Sequence, residues 1–381
     1  MLKIRNVAIL VFLQQLKLTN FRNYEKVNIK LSDNINIFYG NNAQGKTNIL
    51  ESIYLLGLTK SHRSSSDNEL IMSNKSSYSV EGVLNKNNIK TKLQIKYTSK
   101  NKEYYVDNNK LIKTSDYLSN MNVIIFFPDD IEIIKGLPEV RRKYLNTELS
   151  QLYPTYFKVL NEYNKLLKMR NDFLKKACNK EKIDFNYLNI ITEYYIDKAV
   201  FIYRARKKFI EKLTLISSLI YRDISKNNNF SLNYITKPAI ESFDSCDLKR
   251  VLKECIEKNI NQEIKLGMSL YGPHRDDFEF LLDNNNLKKY GSQGQQKLSV
   301  LVLKLSEIQI FETKIGEKPI LLLDDVFSEF DKHKKNNILK YIDKNIQTII
   351  TTTDLTNIKK NIVNESKVFY IDKGNILEKL R

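Results

Sequence analysis

The chain has 381 residues, a formal net charge of +18 from 62 basic and 44 acidic side chains, and 42% hydrophobic residues. That length accommodates two domains or one large domain with an insertion, and the apolar content excludes wholesale disorder. No apolar run reaches the ~20 residues of a membrane helix, and three cysteines without metal-ligand spacing (Cys178, Cys246, Cys255) point away from a zinc site or disulfide framework and toward a reducing cytoplasm.

Lys3 and Arg5 before the apolar stretch 7–13 have the look of an export signal. The stretch is short, no small-residue cleavage site follows, and the chain runs directly into a strand pattern, so export is rejected. Residues 1–13 stay open between an upstream start and an added strand. Alternation predicts strands over 16–18 and 27–31, with a turn over 20–25 between them, then Ile35–Tyr39. Next comes Gly40-Asn41-Asn42-Ala43-Gln44-Gly45-Lys46-Thr47, a full G-x-x-x-x-G-K-[ST] match followed by the helical spacing Ile49, Leu50, Ile53, Leu56. The glycines permit a backbone whose N–H groups converge on phosphate oxygens, and the helix beginning near Lys46 adds its positive end. Lys46 is expected to reach the β- and γ-phosphates of ATP, and the Thr47 hydroxyl to ligate Mg²⁺.

Residues 76–98 read as polar antiparallel hairpins continuing through 104–106, and 123–127 as a strand stopped by Pro128. From 144 to 212 glycine disappears and Leu, Ile and Tyr recur at three- and four-residue steps, which predicts helices. Heptads do not persist far enough for a long coiled coil. Of the 62 basic residues 50 are Lys, amid many Asn and Ile, a mixture that AT-rich codons produce, so bulk charge does not separate a lysine-covered surface from a polyanion partner. Locally, residues 158–212 carry 14 basic and seven acidic side chains, net +7 where an even spread would give about +3. Strand patterns return at Phe230–Ile235, 320–323 and Thr348–Thr352.

Two later motifs complete a nucleotide site. Gly291-Ser292-Gln293-Gly294-Gln295-Gln296 precedes an apolar-periodic helix over 298–311, and a Ser-x-Gly turn at a helix start offers a hydroxyl and free amides to an anion. The run Ile320-Leu-Leu-Leu-Asp324-Asp325 reads as a buried strand ending in carboxylates. Asp324 would hold Mg²⁺ directly or through water; Asp325 either orients or deprotonates the attacking water, or caps a turn. Gly40 and Asp324 lie further apart than one minimal domain, so the chain leaves the nucleotide core and returns. The expected organisation is an ATPase lobe over 1–145, a helical lobe over 146–265 and the rest of the ATPase lobe over 266–381.

The P-loop, Ser-x-Gly-Gln helix start, Leu-Leu-Leu-Asp-Asp strand and Ser328-Glu329-Phe330-Asp331 turn resemble ATPase heads of the ABC/SMC class. With Asn20-Phe-Arg22-Asn-Tyr24, the stretch 40–48 including Asn48, Phe127-Pro-Asp-Asp130, Gly136, Arg141-Arg142, Gly272-Pro-His274-Arg-Asp-Asp277 and the 292–296 and 324–331 blocks, the sequence is similar to the bacterial RecF recombination-mediator family from about residue 16 to 354. The resemblance implies an α/β fold, an ABC-type P-loop head of mixed sheet and helices with an inserted, mainly helical lobe. It also implies two ATP sites shared across a homodimer, each capped by Ser292 and Gly294, with Gln295, of the other chain. By the same resemblance the protein is a slow, DNA-stimulated ATPase switch that holds duplex or gapped DNA in replication, repair and the SOS response, and works with RecO and RecR to load RecA. Arg22 matches a position that often approaches the nucleotide in such heads, or is a surface turn cation. Asp129 and Asp130 fall where related heads carry a metal- or water-contacting loop residue, and turn capping explains them almost as well; Arg63, with a phosphate- or DNA-facing reading, is better taken as an ordinary cation, His274 as a satisfied structural histidine, and His333 as a solvated helix residue. Asp325 stands where transporter heads carry Glu, and Thr352-Thr353 where they carry His, which suggests slow hydrolysis.

A transporter ATPase subunit is the alternative; the Gln-Gly-Gln-Gln wording and the basic insertion argue against it. An SMC-like tether would need long heptads, a nuclease would need a further metal domain, and a purely structural DNA-binding protein would leave Lys46, Asp324 and Ser292 unexplained.

Overall fold

Apolar residues at every second position build the first strand, β1 (Val11–Phe21), but their phase changes within it: Val11 and Leu13 are buried, then Leu16 and Leu18. The pairing with β4 (Ser77–Lys86) slips between Leu13 and Gln15, a bulge that moves the buried set from odd to even positions. That break in alternation is why the sequence predicts a strand only from residue 16. The structure, a computed structural model, describes residues 9–182, 184–225, 229–326 and 346–378. The Ser328–Asp331 turn and His333 therefore lie outside the described residues.

Two compact units divide the chain, Met1–Asp130 with Leu303–Arg381, and Ile131–Val302. The first unit holds two six-stranded sheets. One is antiparallel, in the order β2 (Tyr24–Lys30), β1, β4, β5 (Ile89–Thr98), β6 (Lys102–Val106), β7 (Asn109–Leu111). The other runs β15 (Asn375–Glu378), β14 (Lys367–Asp372), β3 (Ile35–Tyr39), β13 (Thr348–Thr352), β12 (Ile320–Asp324), β8 (Val123–Phe126), with every pair parallel except β14 and β15. Helix α1 (Lys46–Leu58) packs against strands of both sheets, which explains why nearly every residue from Ile49 to Leu58 is buried. The short α2 (Thr114–Leu118) packs beside β6 and β7.

The second unit contains α3 (Glu132–Lys135), α4 (Pro138–Leu152), α5 (Pro154–Cys178), α6 (Phe185–Ser225), α7 (Ser245–Leu266), α8 (Leu287–Tyr290) and a three-stranded sheet of β9 (Phe230–Ile235), β10 (Asp277–Leu282) and β11 (Asn285–Asn286). Helix α9 (Gln293–Ile315) begins in this unit and ends in the first. Helices α5 and α6 run antiparallel, with Phe173 on Tyr187 and Tyr163 stacked on Tyr195. The helical region thus runs from Pro138 to Ser225, wider than the 144–212 span the pattern predicts, because Pro138 and Pro154 sit at the first turns of α4 and α5, where the missing N–H costs nothing. Helix α7 falls almost wholly within the helical lobe expected over 146–265, and its ends are signalled: Asp244 caps it with a side-chain acceptor and Gly267 closes it with a positive φ.

Polar contacts knot the second unit around residues 272–277. Buried Arg206 donates to Asp276 and to the Pro273 carbonyl, both at 2.5 Å, and to Asn146 at 2.7 Å. Arg141 forks onto Asp277, and Arg142 donates to the Asp276 carbonyl at 2.8 Å. His274 lies between the Tyr163 hydroxyl (2.7 Å) and the Ser269 carbonyl (3.1 Å). Burial pushes its imidazole down to about 4, so it is neutral and structural at neutral pH.

Candidate nucleotide-binding site

The phosphate loop lies between β3 and α1, at the carboxyl end of the parallel sheet, where α/β folds gather ligand contacts. Its backbone is left-handed at Gly40 (φ 154°), Ala43 (62°) and Gly45 (114°). A Cβ on Gly45 would approach Asn23 Nδ2 to 2.4 Å and the Tyr24 hydroxyl to 2.8 Å, so glycine is required there on conformation and space alike. Two loop carbonyls take partners from the 22–24 turn: Asn23 Nδ2 donates to Gln44 O (3.1 Å), and the Tyr24 hydroxyl to Gly45 O (3.0 Å), which also accepts the amides of Asn48 and Ile49 in α1. Helix α1 starts on Gly45 with no acidic side chain of its own in the first turn.

Lys46 is 7% exposed, and its ammonium donates to the carbonyls of Gly40 and Asn41, both at 2.7 Å. Burial lowers its pKa, while the carboxylates of Asp325 and Asp324 act against that shift. Thr47 donates to Asp324 Oδ1 at 3.1 Å, reaching across β13, which separates β3 from β12 in the sheet. Thr351 of β13 donates to the same oxygen at 2.5 Å. Asp325 has φ 48°, and its amide bonds both the carbonyl (3.2 Å) and hydroxyl (3.1 Å) oxygens of Thr351. Thr352 is buried and donates to the Asp354 carbonyl. A glycine-bounded loop at a helix start, a buried ammonium, and a hydroxyl beside a carboxylate form a set that fits a nucleoside triphosphate with a hard divalent cation. The amides and Lys46 would hold the phosphates; Thr47 and Asp324 would hold the metal.

The remaining candidates divide clearly. Asn41 and Asn42 are exposed on the loop, and Asn48 donates to Asn23 Oδ1 at 2.8 Å and accepts from Arg63 at 3.3 Å. Arg22 is committed elsewhere: it forks onto Glu51 (2.8 and 2.9 Å) and donates to Ser64 (2.6 Å) and the Glu69 carbonyl (2.8 Å). Glu51 is fully buried one turn beyond Thr47; burial acts to raise its carboxyl, but the bonds from Arg22 and Ser61 hold it below the ordinary range. A lone carboxylate inside an apolar helix is a visible signal, and the sequence reading passed over it. Asp130 is buried and accepts the Phe127 amide at 3.0 Å, and burial raises its pKa to about 6, whereas Asp129 is exposed.

The Ser-x-Gly turn belongs to the second unit. Ser292 and Gln295 bond reciprocally, Gln295 N to Ser292 Oγ (3.3 Å) and Ser292 N to Gln295 Oε1 (2.9 Å), closing a capping box at the start of α9. Ser292, Gln293 and Gly294 are exposed, and a Cβ on Gly294 would meet nothing within 4 Å. The structure brings residues 40–48, the 22–24 turn and Asp324–Asp325 together in the first unit, and places Ser292, Gly294 and Gln295 in the second. Two of the 14 cations in 158–212 are internal, Arg170 paired with Glu263 and Arg206 with Asp276, so the solvent-facing excess of that stretch is smaller than its composition suggests. Among the described residues no helix is long and apolar enough to cross a membrane.

A parallel sheet that carries a phosphate loop after β3 and an acidic pair at the end of β12, with β13 between them, together with a Ser-x-Gly helix start, defines a P-loop head of the ABC/SMC ATPase class. The family model described as the RecF/RecN/SMC N terminal domain matches residues 12–376. The DNA replication and repair protein RecF of Listeria innocua is 38% identical over 365 residues, 96% of this chain and 99% of the relative. A solved structure of the recombination mediator protein RecF with ATP in the RecFOR pathway superposes with a TM-score of 0.91 at 33% identity, covering all of both chains. The Smc head domain of Pyrococcus furiosus, bound to the C-terminal domain of ScpA, shares the fold at a TM-score of 0.55 and 15% identity. This chain belongs to the RecF/RecN/SMC N-terminal domain family, in its RecF branch.

Proposed function

We propose that the protein binds MgATP at residues 40–48 and Asp324, dimerises in response, and clamps duplex DNA at gaps during cytoplasmic DNA replication and repair. The observation that carries this reading is the Thr47–Asp324 contact beside Lys46, which is the donor set a triphosphate and its metal require. In the dimer, Ser292, Gly294 and Gln295 of one chain cap the nucleotide held by Lys46 of the other, so the γ-phosphate belongs to the interface and ATP selects the paired state. Asp325 orients or deprotonates the attacking water. Its short carboxylate, and Thr352 in place of an imidazole, favour slow hydrolysis, suited to a timed switch. Duplex DNA lies on basic side chains of the helical lobe through phosphate contacts, without base reading. Membership of the RecF branch supports cooperation with RecO and RecR in placing RecA.

The test is sedimentation with ATP, with ADP and with gapped duplex DNA. ATP is expected to produce a dimer and ADP a monomer. Ser292→Arg is expected to abolish the ATP dimer while single-chain nucleotide binding persists; a Ser292→Arg variant that still dimerises on ATP would overturn the shared site.

A further inference from the structure

Of the three left-handed residues in the phosphate loop, Ala43 lacks glycine's freedom, and its conformation persists only where the surroundings over-determine it. Two hairpin turns do so from outside. From the β1–β2 turn, Asn23 donates to Gln44 O (3.1 Å) and accepts from Asn48 Nδ2 (2.8 Å), bridging the loop to the first turn of α1. Beside it the Tyr24 hydroxyl donates to Gly45 O. From the β14–β15 turn, Lys373 N donates to Gln44 Oε1 (2.6 Å) and Gly374 N to Gln44 O (3.3 Å). The turns also touch each other: a Cβ on Gly374, whose φ is 79°, would lie 2.8 Å from Asn23 O.

An anion-binding loop works only while its amides face the ligand and its carbonyls are satisfied elsewhere. Outward donors to Gln44 O enforce that polarity, because a flipped Gln44 peptide would lose its partners and present a carbonyl to phosphate; at Gly45 O the Tyr24 hydroxyl adds to the helical amides of Asn48 and Ile49. We propose that Asn23 is a positioning residue for nucleotide binding, acting through the Gln44 peptide, with Tyr24 and the 373–374 turn as supports. The proposal rests on the nucleotide-site reading above. It gives the 20–24 motif a contact to the phosphate loop beside the Arg22–Glu51 pair.

Asn23→Asp is nearly isosteric but sets an acceptor against Gln44 O; Tyr24→Phe removes the donor to Gly45 O. In titrations of the full chain with a fluorescent ATP analogue and Mg²⁺, Asn23→Asp is expected to weaken binding at least tenfold and Tyr24→Phe several-fold, with the melting temperature of the nucleotide-free proteins unchanged. In ATP hydrolysis, Asn23→Asp is expected to raise KM by a similar factor while kcat falls less than threefold, a split that a general loss of folding would not produce. Wild-type affinity in both variants would overturn the positioning role. Undiminished binding in Lys46→Ala would instead overturn the nucleotide site itself.

Discussion

Lys46 and Arg22 are two cations near one phosphate site, and their partners assign them different work. Lys46 rests on two backbone carbonyls of its own loop at 2.7 Å, contacts that a phosphate oxygen can replace without moving the chain. Arg22 is held by a buried carboxylate, a serine hydroxyl and a carbonyl, and freeing it would strand the Glu51 charge inside α1. Lys46→Arg keeps the charge but replaces a compact ammonium with a planar fork. The expected outcome is ATP binding within a few-fold of wild type and hydrolysis reduced at least tenfold, checked by equilibrium titration and phosphate release. The Lys46 assignment is legible in its motif; the Arg22 pairing is not, because the N-F-R-N-Y run displays its arginine and not the glutamate that holds it.

At the scale of elements, α5, α6 and α7 are joined by buried polar contacts as well as by apolar packing. Arg170 of α5 and Glu263 of α7 are both fully buried at 2.5 Å, and Arg170 also donates to Ser269 (2.6 Å) and to Thr192 of α6 (3.0 Å). Removing one member of such a pair leaves an uncompensated internal charge. Arg170→Met is therefore expected to cost about 3–5 kcal/mol, whereas the double change Arg170→Met with Glu263→Leu recovers most of that loss. Urea unfolding of the two single variants and the double variant measures the coupling. Exposed pairs on the same helices, such as Arg250 with Glu254, are expected to contribute no more than about 0.5 kcal/mol.

For the whole molecule, the charge of +18 matters through where it is exposed. Arg170 and Arg206 belong to the interior, and Lys198, Lys249 and Lys253 are engaged with acidic neighbours. Exposed cations on α5 and the following turn, including Lys165, Lys168, Lys175 and Lys180, are among those open to phosphate. If they hold DNA in the ATP-bound dimer, log K falls with log salt by about 0.9 for each phosphate contact. Fluorescence anisotropy with a duplex probe across a salt series is expected to give a slope of several units. Lys165→Glu with Lys168→Glu is expected to lower both affinity and slope without affecting ATP binding; a flat salt dependence in the unaltered protein would rule out this face as the DNA contact.

The phosphate loop, the strand that delivers Asp324, the hairpins of residues 77–106 and the helical lobe were legible because each depends on local periodicity or on a short motif with its own backbone geometry. Helix α9 was legible from its apolar spacing, but only in part: Gln293–Ile315 exceeds the predicted 298–311 at both ends, since its first turn is built from polar capping residues. What tertiary structure alone decided is everything that rests on partners distant in sequence. It sets β13 between the strands that deliver Thr47 and Asp324, gives Arg22 to Glu51, presses the 373–374 turn onto Gln44, and buries two of the lobe's arginines. Periodicity reports which face of an element is apolar; it carries no information about which buried donor meets which acceptor, because that depends on the order in which the strands lie in the sheet.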